Sequence, residues 1–530
     1  MARKKDPAAG ADQVTAIAQG YAFDGPALQF GALVTDGTAR PDLQVRIPLS
    51  MINRHGLVAG ATGTGKTKTL QLMAEQLSAL GVPVFAADIK GDLSGIASAG
   101  EANDRTLSRA TDVGQTWAAL ACPTEFYALG GEGQGVPLRV TVTSFGPTLL
   151  SKVLDLNGVQ ESSLGLVFHF ADKAGLPMLD LKDLRAVISF LIGDEGKASL
   201  KELGGLSAAT AGVILRELIA FADQGGERFF GEPEFDTANL LRTTADGLGV
   251  VSLLELPQLQ DRPKVFSTFL MWLLADLFQD LPEVGDVDKP KLVFFFDEAH
   301  LLFDDASNAF LDSIAQTVRL IRSKGIGVFF VTQTPKDVPS DVLGQLGNRV
   351  QHALRAFTPE DAKALKATVS TFPRSGYDLE ELLTQLGIGE AVITVLSERG
   401  APTPVAWTRL RAPQSRMAPT DAAAIAAAVA TSPLHAAYAQ EIDRESAYER
   451  LAARLAPAPE RAPEHPPDAP AGTRTTSPSR PAPRPAPTQE DSALERAVRS
   501  PAAKAFARSA ASALGREIAR SLFGTSRRRC

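Results

Sequence analysis

Apolar and polar positions in the first hundred residues predict a strand, a loop, a helix and a second strand. The apolar residues of Lys66–Leu80 recur at helical spacing, and Gly81 ends that pattern. The runs His55–Ala59 and Val82–Ala87 on either side are short and apolar, as strands buried on both faces are. This order is that of a βαβ unit, whose two strands are parallel.

Residues 147–240 depart from this alternation. Their apolar residues follow a helical period at 163–174, 181–192 and 208–222, so we interpret the segment as a helical insertion. Beyond it strands and helices alternate again, which predicts an α/β fold with a mostly parallel sheet of the doubly wound kind. The other predicted strands are Arg139–Ser144, Gly249–Leu254, Lys291–Phe296, Gly327–Val331, Gln351–Leu354, Glu390–Val395 and Pro404–Leu410, and the helices among them are Lys264–Phe278 and Asn308–Ser323.

The remaining pattern divides the chain into segments. Residues 1–12 are charged or small and are predicted to be disordered, and short apolar runs between 17 and 47 predict strands. The expected segments are 1–50 (β-rich), 51–146 (first part of the α/β core), 147–240 (helical insertion), 241–412 (second part of the core), 413–456 (Ala-rich and helical), 457–490 (Pro-rich flexible linker) and 491–530 (basic amphipathic helix).

The last two segments differ most from the rest in composition. The stretch 457–487 holds 11 of the 35 prolines and cannot bury enough apolar surface to fold. The segment 491–530 carries nine Lys and Arg against three acids, with apolar residues at helical spacing. Such a helix suits a partner's groove, self-association, a nucleic-acid backbone or an anionic membrane surface, or it packs on the rest of the chain.

Composition narrows the class of protein. The 530 residues are 44% hydrophobic, and no apolar run approaches the roughly 20 residues that a membrane span needs. No apolar stretch follows the N-terminus as in a signal peptide, and two cysteines cannot form a disulfide framework. We therefore expect a soluble cytoplasmic protein. Its net charge is −7, and because the segment 491–530 carries +6, the remaining residues 1–490 carry −13, which argues against non-specific nucleic-acid binding over the outer surface.

The glycine-rich loop after the first predicted strand carries the clearest chemical signal. Its sequence fits G-x-x-x-x-G-K-[ST], in which glycines let backbone N–H groups turn toward phosphates and the following helix aims its positive end at them. In this pattern the lysine reaches the β- and γ-phosphates and the hydroxyl of the Thr binds Mg²⁺. The expected nucleotide-binding residues are Gly60, Ala61, Thr62, Gly63, Thr64, Gly65, Lys66, Thr67 and Lys68.

An apolar strand that ends in two acids supplies the second half of such a site. Leu292–Phe296 is followed by Asp297, a candidate Mg²⁺ ligand together with Thr67, and by Glu298, a candidate base for the attacking water. Taken alone, a strand end followed by an acidic helix cap is commoner. Next to a phosphate loop, the adjacent glutamate favours hydrolysis over nucleotide binding alone.

Polar residues beyond the acids complete the expected site. Gln333 follows the strand predicted at 327–331 and is a candidate contact for the γ-phosphate or the water. The transition state of phosphoryl transfer usually needs an arginine, often from a neighbouring subunit. The candidates are Arg319, Arg322, Arg349 and Arg355, each of which is individually more typical of a solvated surface residue.

These segments together resemble the HerA/FtsK superfamily of hexameric P-loop ATPases, and within it the bacterial YjgR-type HerA-like proteins. The resemblance covers about residues 20–417. It is carried by Asn53–Thr67, Asp88–Asp92, Phe296–His300, Arg319–Gly325, Val331–Pro335, Asn348–Arg355, Leu386–Val392 and Ser415–Met417.

The resemblance implies a RecA-like core, ATP hydrolysis between subunits of a homohexameric ring, and an arginine supplied in trans, for which it favours Arg322. It also implies the phosphate and metal roles of Lys66 and Thr67, the acidic pair 297–298 and a sensor role for Gln333. Better-known relatives translocate duplex DNA, some with a nuclease partner. Three functions stay open: a DNA motor, an ATPase acting on a protein or a membrane-associated secretion or conjugation assembly, and a slow nucleotide switch, which Glu298 and Gln333 disfavour.

Overall fold

A computed structural model describes residues 7–131, 133–200, 204–256, 263–303 and 308–455. The predicted Pro-rich linker and basic C-terminal helix lie outside the described residues. Within the described part, the strands are β1 (Ala27–Thr35), β2 (Thr38–Pro48), β3 (Gly56–Ala59), β4 (Val84–Asp88), β5 (Thr124–Leu129), β6 (Val136–Leu138), β7 (Val251–Glu255), β8 (Leu292–Phe296), β9 (Ile326–Thr332), β10 (Asn348–Gln351), β11 (Glu390–Thr394) and β12 (Ala406–Leu410).

The α-helices of the described residues surround these strands. They are α1 (Pro7–Gly20), α2 (Lys66–Ala79), α3 (Asp104–Asp112), α4 (Val142–Val153), α5 (Gly158–Lys173), α6 (Leu181–Ile192), α7 (Asp194–Leu200), α8 (Ala208–Asp223), α9 (Pro263–Asp280), α10 (His300–Phe303), α11 (Asn308–Ile321), α12 (Ser340–Leu343), α13 (Pro359–Ser370), α14 (Leu379–Gln385), α15 (Ala422–Thr431), α16 (Pro433–Tyr438) and α17 (Ala447–Leu455). None of the helices in the described ranges is long and apolar enough to cross a bilayer.

All twelve strands join one sheet in the order β2-β1-β12-β11-β10-β3-β9-β8-β4-β7-β5-β6. Every neighbouring pair from β10 to β6 is parallel, whereas β11, β12, β1 and β2 extend the sheet in antiparallel fashion. The predicted α/β fold with a mostly parallel sheet is confirmed. The N-terminal strands β1 and β2 continue this sheet through β12.

Side chains of the central strands alternate between two cores because neighbouring residues of a strand face opposite sides. Phe294 and Phe296 pack with the helices of the insertion, with α9 and with α11. Val293 and Phe295 pack on the other face, where α2 supplies its apolar side. Helices therefore cover both faces, which explains why β8 is apolar at every position.

Two local predictions were wrong. Residues 1–12 were expected to be disordered, but α1 begins at Pro7. Ile17 of this helix and Tyr21 just after it are buried, and the Tyr21 hydroxyl donates to the Ile393 carbonyl. Of the strand expected at 139–144, only an isolated β-bridge from Val140 to Phe230 is present, and α4 begins at Val142, because Thr141 caps that helix by accepting a hydrogen bond from the Ser144 amide. Tertiary packing and capping override the local pattern in these two places.

A segment after the last strand is held against α2 by buried polar contacts. This strap, Gln414–Met417, donates its Gln414 and Ser415 amides to Glu75 at 2.9 and 2.8 Å, and the Ser415 hydroxyl also bonds that carboxylate. Gln71 donates to the Ser415 hydroxyl and Lys68 donates to the Met417 carbonyl, both at 2.6 Å. Burial raises the pKa of Glu75 although these donors lower it.

Replacing Glu75 with Ala should destabilise the fold because two backbone amides and a hydroxyl would lose their buried acceptor. We expect the free energy of unfolding to fall by about 1–3 kcal/mol, measured by urea denaturation. Replacing the exposed Glu101 with Ala is the matched control and should leave stability unchanged. Equal stability of the two variants would contradict a structural role for the strap contacts.

Candidate functional site

The phosphate loop and the acidic pair meet at the edge of the sheet where the parallel strands end. The loop follows β3, the acids follow β8, and β9 lies between these strands. Ala59 of β3 is in register with Thr332 of β9, and Phe296 of β8 with Phe330 of β9. Since neighbouring strands lie about 4.8 Å apart, the two halves of the site are separated by roughly 10 Å.

Left-handed backbone shapes the loop. Gly60, Gly63 and Gly65 have φ values of 155°, 79° and 112°, which side-chain-bearing residues rarely adopt. A Cβ on Gly60 would also lie 2.4 Å from the Cβ of His352. The loop passes directly into α2 at Lys66. The first N–H groups of α2 and the positive end of its dipole are therefore available to an anion.

Hydrogen bonds from three neighbouring segments fix this loop. The Ala61 amide donates to the Ala353 carbonyl at 2.8 Å, the Gly60 amide to Thr332 at 3.2 Å, and the Gly389 amide to Thr64 at 3.1 Å. The loop is thus tied to the ends of β9 and β10 and to the turn before β11. This anchoring holds its shape before any ligand arrives, which lowers the cost of binding.

His352 packs against the phosphate loop. It is fully buried, and its Nε2 lies 2.9 Å from the Thr69 hydroxyl of α2. Burial, together with the nearby charge of Lys66, lowers the pKa of His352 to about 4. The imidazole is therefore neutral at physiological pH, and its role is packing and hydrogen bonding rather than charge.

Lys66 lies inside the loop with only 8% of its surface exposed. Its ammonium donates to the Gly60 carbonyl at 2.7 Å and to Ala61 at 3.3 Å. Burial lowers the pKa of Lys66, although the charges of Glu298 and Asp297 raise it. These carboxylates are thus within electrostatic reach of the lysine across the end of β9.

The two acids are both buried, and they differ in backbone conformation. Asp297 and Glu298 are 2% and 4% exposed, and the Asp297 carboxylate accepts the Glu298 amide at 2.9 Å. Burial, and then the adjacent Glu298, raise the pKa of Asp297 to about 7. Glu298 has φ 46°, a left-handed conformation that costs a side-chain-bearing residue energy and occurs often at functional sites.

The donor set at this edge suits Mg²⁺. The Thr67 hydroxyl on the first turn of α2 and the Asp297 carboxylate are hard oxygen donors, and a cation beside Asp297 would lower its raised pKa again. Among the described residues, no group of three or more His, Cys, Asp or Glu is arranged to hold a metal. Mg²⁺ usually takes only one or two protein ligands and completes its shell with water and phosphate.

Gln333 lies at the same edge, and two of the candidate arginines do not. Gln333 is exposed and immediately follows β9, between the loop and the acids. Arg319 lies in the last turn of α11 and Arg322 in the short 3-10 helix Arg322–Lys324 that follows, just before β9 begins, so both are at the opposite edge of the sheet. Arg322 is ion-paired at 3.2 Å to Asp286, which also binds Arg54 at 2.9 Å.

The other two arginines flank β10. Arg349 is on the strand, partly buried, and its guanidinium bonds the Thr371 hydroxyl. Burial lowers its pKa. Arg355 is exposed beyond the end of β10, on the side of the phosphate loop. Arg349 therefore has a local partner, and Arg355 is the candidate that lies at the same edge as the loop of its own chain.

Three residues at this edge were not among the expected site residues. Asp88 ends β4 and Glu255 ends β7, in register with each other. Burial raises the pKa of Asp88 to about 7 and that of Glu255 to about 6. Lys90, just after β4, forms an ion pair with Glu298. The rule that identified Asp297, an apolar strand ending in an acid, applies equally to Val84–Asp88.

The chain is similar to known proteins over most of its length. A family model described as "Helicase HerA-like C-terminal" matches residues 34–530. The chain is 22% identical over 379 residues to the DNA double-strand break repair helicase HerA of Saccharolobus solfataricus, covering 70% of this chain and 67% of that protein. The corresponding protein of Sulfolobus acidocaldarius is 22% identical over 361 residues, covering 66% and 64%. The chain thus spans about two thirds of the length of these relatives.

Solved structures share the fold at lower identity. The bacterial conjugative coupling protein TrwBdeltaN70 in an unbound form has a TM-score of 0.50 and 15% identity, covering 78% of this chain and 93% of that one. The plasmid coupling protein TrwB in complex with ADP and Mg²⁺ has a TM-score of 0.50 and 16% identity, covering 76% and 98%. Both are similar in fold, which agrees with the predicted P-loop core.

Replacing Gly60 with Ala should weaken nucleotide binding because the added methyl would collide with His352 and the φ of 155° would strain the backbone. We expect at least a tenfold loss of affinity for a fluorescent ATP analogue, which corresponds to about 1.4 kcal/mol. Gly165, in α5 with open space around its Cα, is the matched control, and its change to Ala should have no effect. Unchanged affinity in the Gly60 variant would mean that the loop does not bind phosphate in this form.

Proposed function

The chain belongs to the helicase HerA-like C-terminal family and is an ATP-hydrolysing P-loop enzyme, and on this premise we propose that it works as a ring-shaped motor on duplex DNA. The observation that supports a ring is the separation, within one chain, of the phosphate loop and the acids from two of the candidate arginines. The phosphate loop and the acids lie at one edge of the sheet, whereas Arg319 and Arg322 lie at the other. In a ring, the arginine of one subunit would instead complete the site of its neighbour.

Each residue of the edge has a role in this proposal. The loop amides and Lys66 bind the β- and γ-phosphates of ATP, and Thr67 and Asp297 hold the Mg²⁺ that neutralises phosphate charge. Glu298 accepts a proton from the attacking water while the water oxygen forms a bond to the γ-phosphorus. The bond from that phosphorus to the oxygen bridging the β-phosphate then breaks, which leaves ADP and inorganic phosphate. Gln333 orients the water from the end of β9.

The arginine arrangement supports a shared site. The helix α11 has 14 residues and is about 21 Å long, so Arg319 in its last turn and Arg322 just beyond its end are well away from the acids that precede it. Neither can reach the phosphate loop of its own chain across the length of β9. In a head-to-tail ring, the same arginines would face the loop of the next subunit, and we propose Arg322 as the finger and a homohexamer as the assembly.

The names of similar proteins support duplex DNA as the substrate in this proposal. Two relatives at 22% identity are DNA double-strand break repair helicases by name. The second candidate is an ATPase acting on a protein assembly, which the likeness in fold to a conjugative coupling protein suggests without showing it. A slow switch fits less well, because a glutamate next to Asp297 and a glutamine directly after β9 favour hydrolysis over nucleotide binding alone.

The DNA proposal predicts that the ATPase rate of the wild-type protein rises several-fold when duplex DNA is added at low salt. The reason is that a motor couples turnover to its track. Phosphate release is measured with and without DNA, and retention of DNA is followed by gel shift. Lys66→Ala should abolish turnover in both conditions and so sets the background. A wild-type rate that ignores duplex DNA, with no DNA retained, would favour the protein-assembly candidate.

The ring proposal predicts complementation between two inactive variants. Arg322→Ala subunits keep their own loop and acids, and Glu298→Gln subunits keep the arginine, so mixed rings contain some complete sites. We expect each variant to be inactive alone and mixtures to regain part of the wild-type rate. Asp286→Asn is the control, because it removes the ion pair of Arg322 and keeps the arginine. Mixtures without activity would contradict an arginine acting in trans.

A further inference from the structure

Lys90 makes an ion pair with Glu298 that the hydrolysis step does not use. Lys90 follows β4 and Glu298 follows β8, and these strands are neighbours, with Ala87 in register with Phe296. The Lys90 ammonium donates to the Oε1 atom of Glu298. The contact joins residues 208 positions apart in the sequence and lies within the candidate site.

Hydrogen bonds to Asp88 hold the turn that carries Lys90 in a defined conformation. The Asp88 carboxylate accepts the Gly91 amide with one oxygen and the Leu93 amide with the other, both at 2.8 Å. Gly91 adopts the left-handed conformation, with φ 74°, that this turn requires. Asp88 itself is fully buried. The backbone at Lys90 is therefore fixed, and its side chain is delivered to Glu298 from a defined point.

The two oxygens of Glu298 differ in their partners. Oε1 accepts from Lys90, whereas Oε2 lies 3.3 Å from Nδ1 of His300 and has no hydrogen-bond partner among the described residues. A carboxylate that acts as a base must turn an oxygen lone pair toward the attacking water. In the geometry observed, Lys90 occupies Oε1. The ion pair thus fixes the orientation of the Glu298 carboxylate and occupies one of its two oxygens.

The lysine is also the accessible partner of the pair. Its side chain is 44% exposed, whereas that of Glu298 is 6% exposed. Partial burial lowers the pKa of Lys90, but Glu298, Asp297 and Asp92 raise it above its ordinary value, so the ammonium is charged. Asp92 lies in the same turn and has a buried Oδ1 with no partner among the described residues. It offers the ammonium a second carboxylate if it leaves Glu298.

We propose that Lys90 is a positioning residue that restrains Glu298 and thereby sets the basal rate of ATP hydrolysis. Release of the ammonium from Oε1 frees that oxygen to accept the proton of the water. This inference rests on the proposed role of Glu298 as the base. It adds that Lys90, which follows the neighbouring strand β4, holds the base until the lysine side chain moves.

The test compares steady-state ATP hydrolysis by the full chain carrying Lys90→Met, which removes the charge and keeps the length of the side chain, with the wild type. We expect a several-fold rise in basal kcat with an unchanged KM, and a smaller further gain on adding duplex DNA. Lys90→Arg keeps the ion pair and should stay at the wild-type rate. Lys182→Met is the matched control, because it removes a half-exposed lysine paired with Glu449 far along the chain from the site.

A fall in kcat for Lys90→Met, or no change, would overturn the restraint. Fluorescent ATP-analogue affinity and thermal melting of the same variant show whether the site remains folded, and Lys90→Arg gives a second reading if Lys90→Met melts early. Failure of the proposed function can be distinguished from failure of the restraint by Lys90. A wild-type rate indifferent to duplex DNA removes the DNA motor and leaves the basal comparison valid, whereas a Glu298→Gln variant that hydrolyses normally removes the base.

Discussion

The parallel pairing of β3, β9 and β8 is the constraint on which the candidate site depends. Parallel strands end at the same edge of a sheet, so the loop after β3 and the acids after β8 are brought together by backbone hydrogen bonds alone. The strands are buried on both faces, which fixes their register. A shift of β9 by one residue would turn its side chains to the opposite face and displace Gln333 relative to the loop.

The same constraint divides the chemistry between two edges. Everything that contacts phosphate or water in the proposal lies where the strands end, and Arg319 and Arg322 lie where β9 begins. A single chain cannot bring these groups together without breaking its central sheet. This arrangement suits the proposed ring, because each subunit would offer its phosphate loop to one neighbour and its arginines to the other. Nucleotide turnover in such a ring would depend on how neighbours are placed.

Much of the core could be predicted from local pattern. The strand, loop and helix around Lys66 and the apolar strand before Asp297 each carry their own signal within about 15 residues. The order of strands is not local: nothing near β9 says that it lies between β3 and β8. The ion pair of Lys90 with Glu298 and the contact of Glu75 with Ser415, 340 positions apart, are likewise invisible without the fold. Helix α1 was missed because the burial of Ile17 and the contact of Tyr21 with Ile393 depend on residues far away in the sequence.

Electrostatics explain why this edge suits a nucleotide with its cation. Asp88, Asp297 and Glu255 end three adjacent strands, and burial raises the pKa of each carboxyl to about 7, 7 and 6. Burial disfavours the charged form of all three carboxyls, so a positive charge bound beside them would be stabilised there. A triphosphate alone would add negative charge beside these acids. Binding it together with Mg²⁺ brings both signs at once, which is the physical reason that a phosphate loop and a row of buried acids belong at one edge.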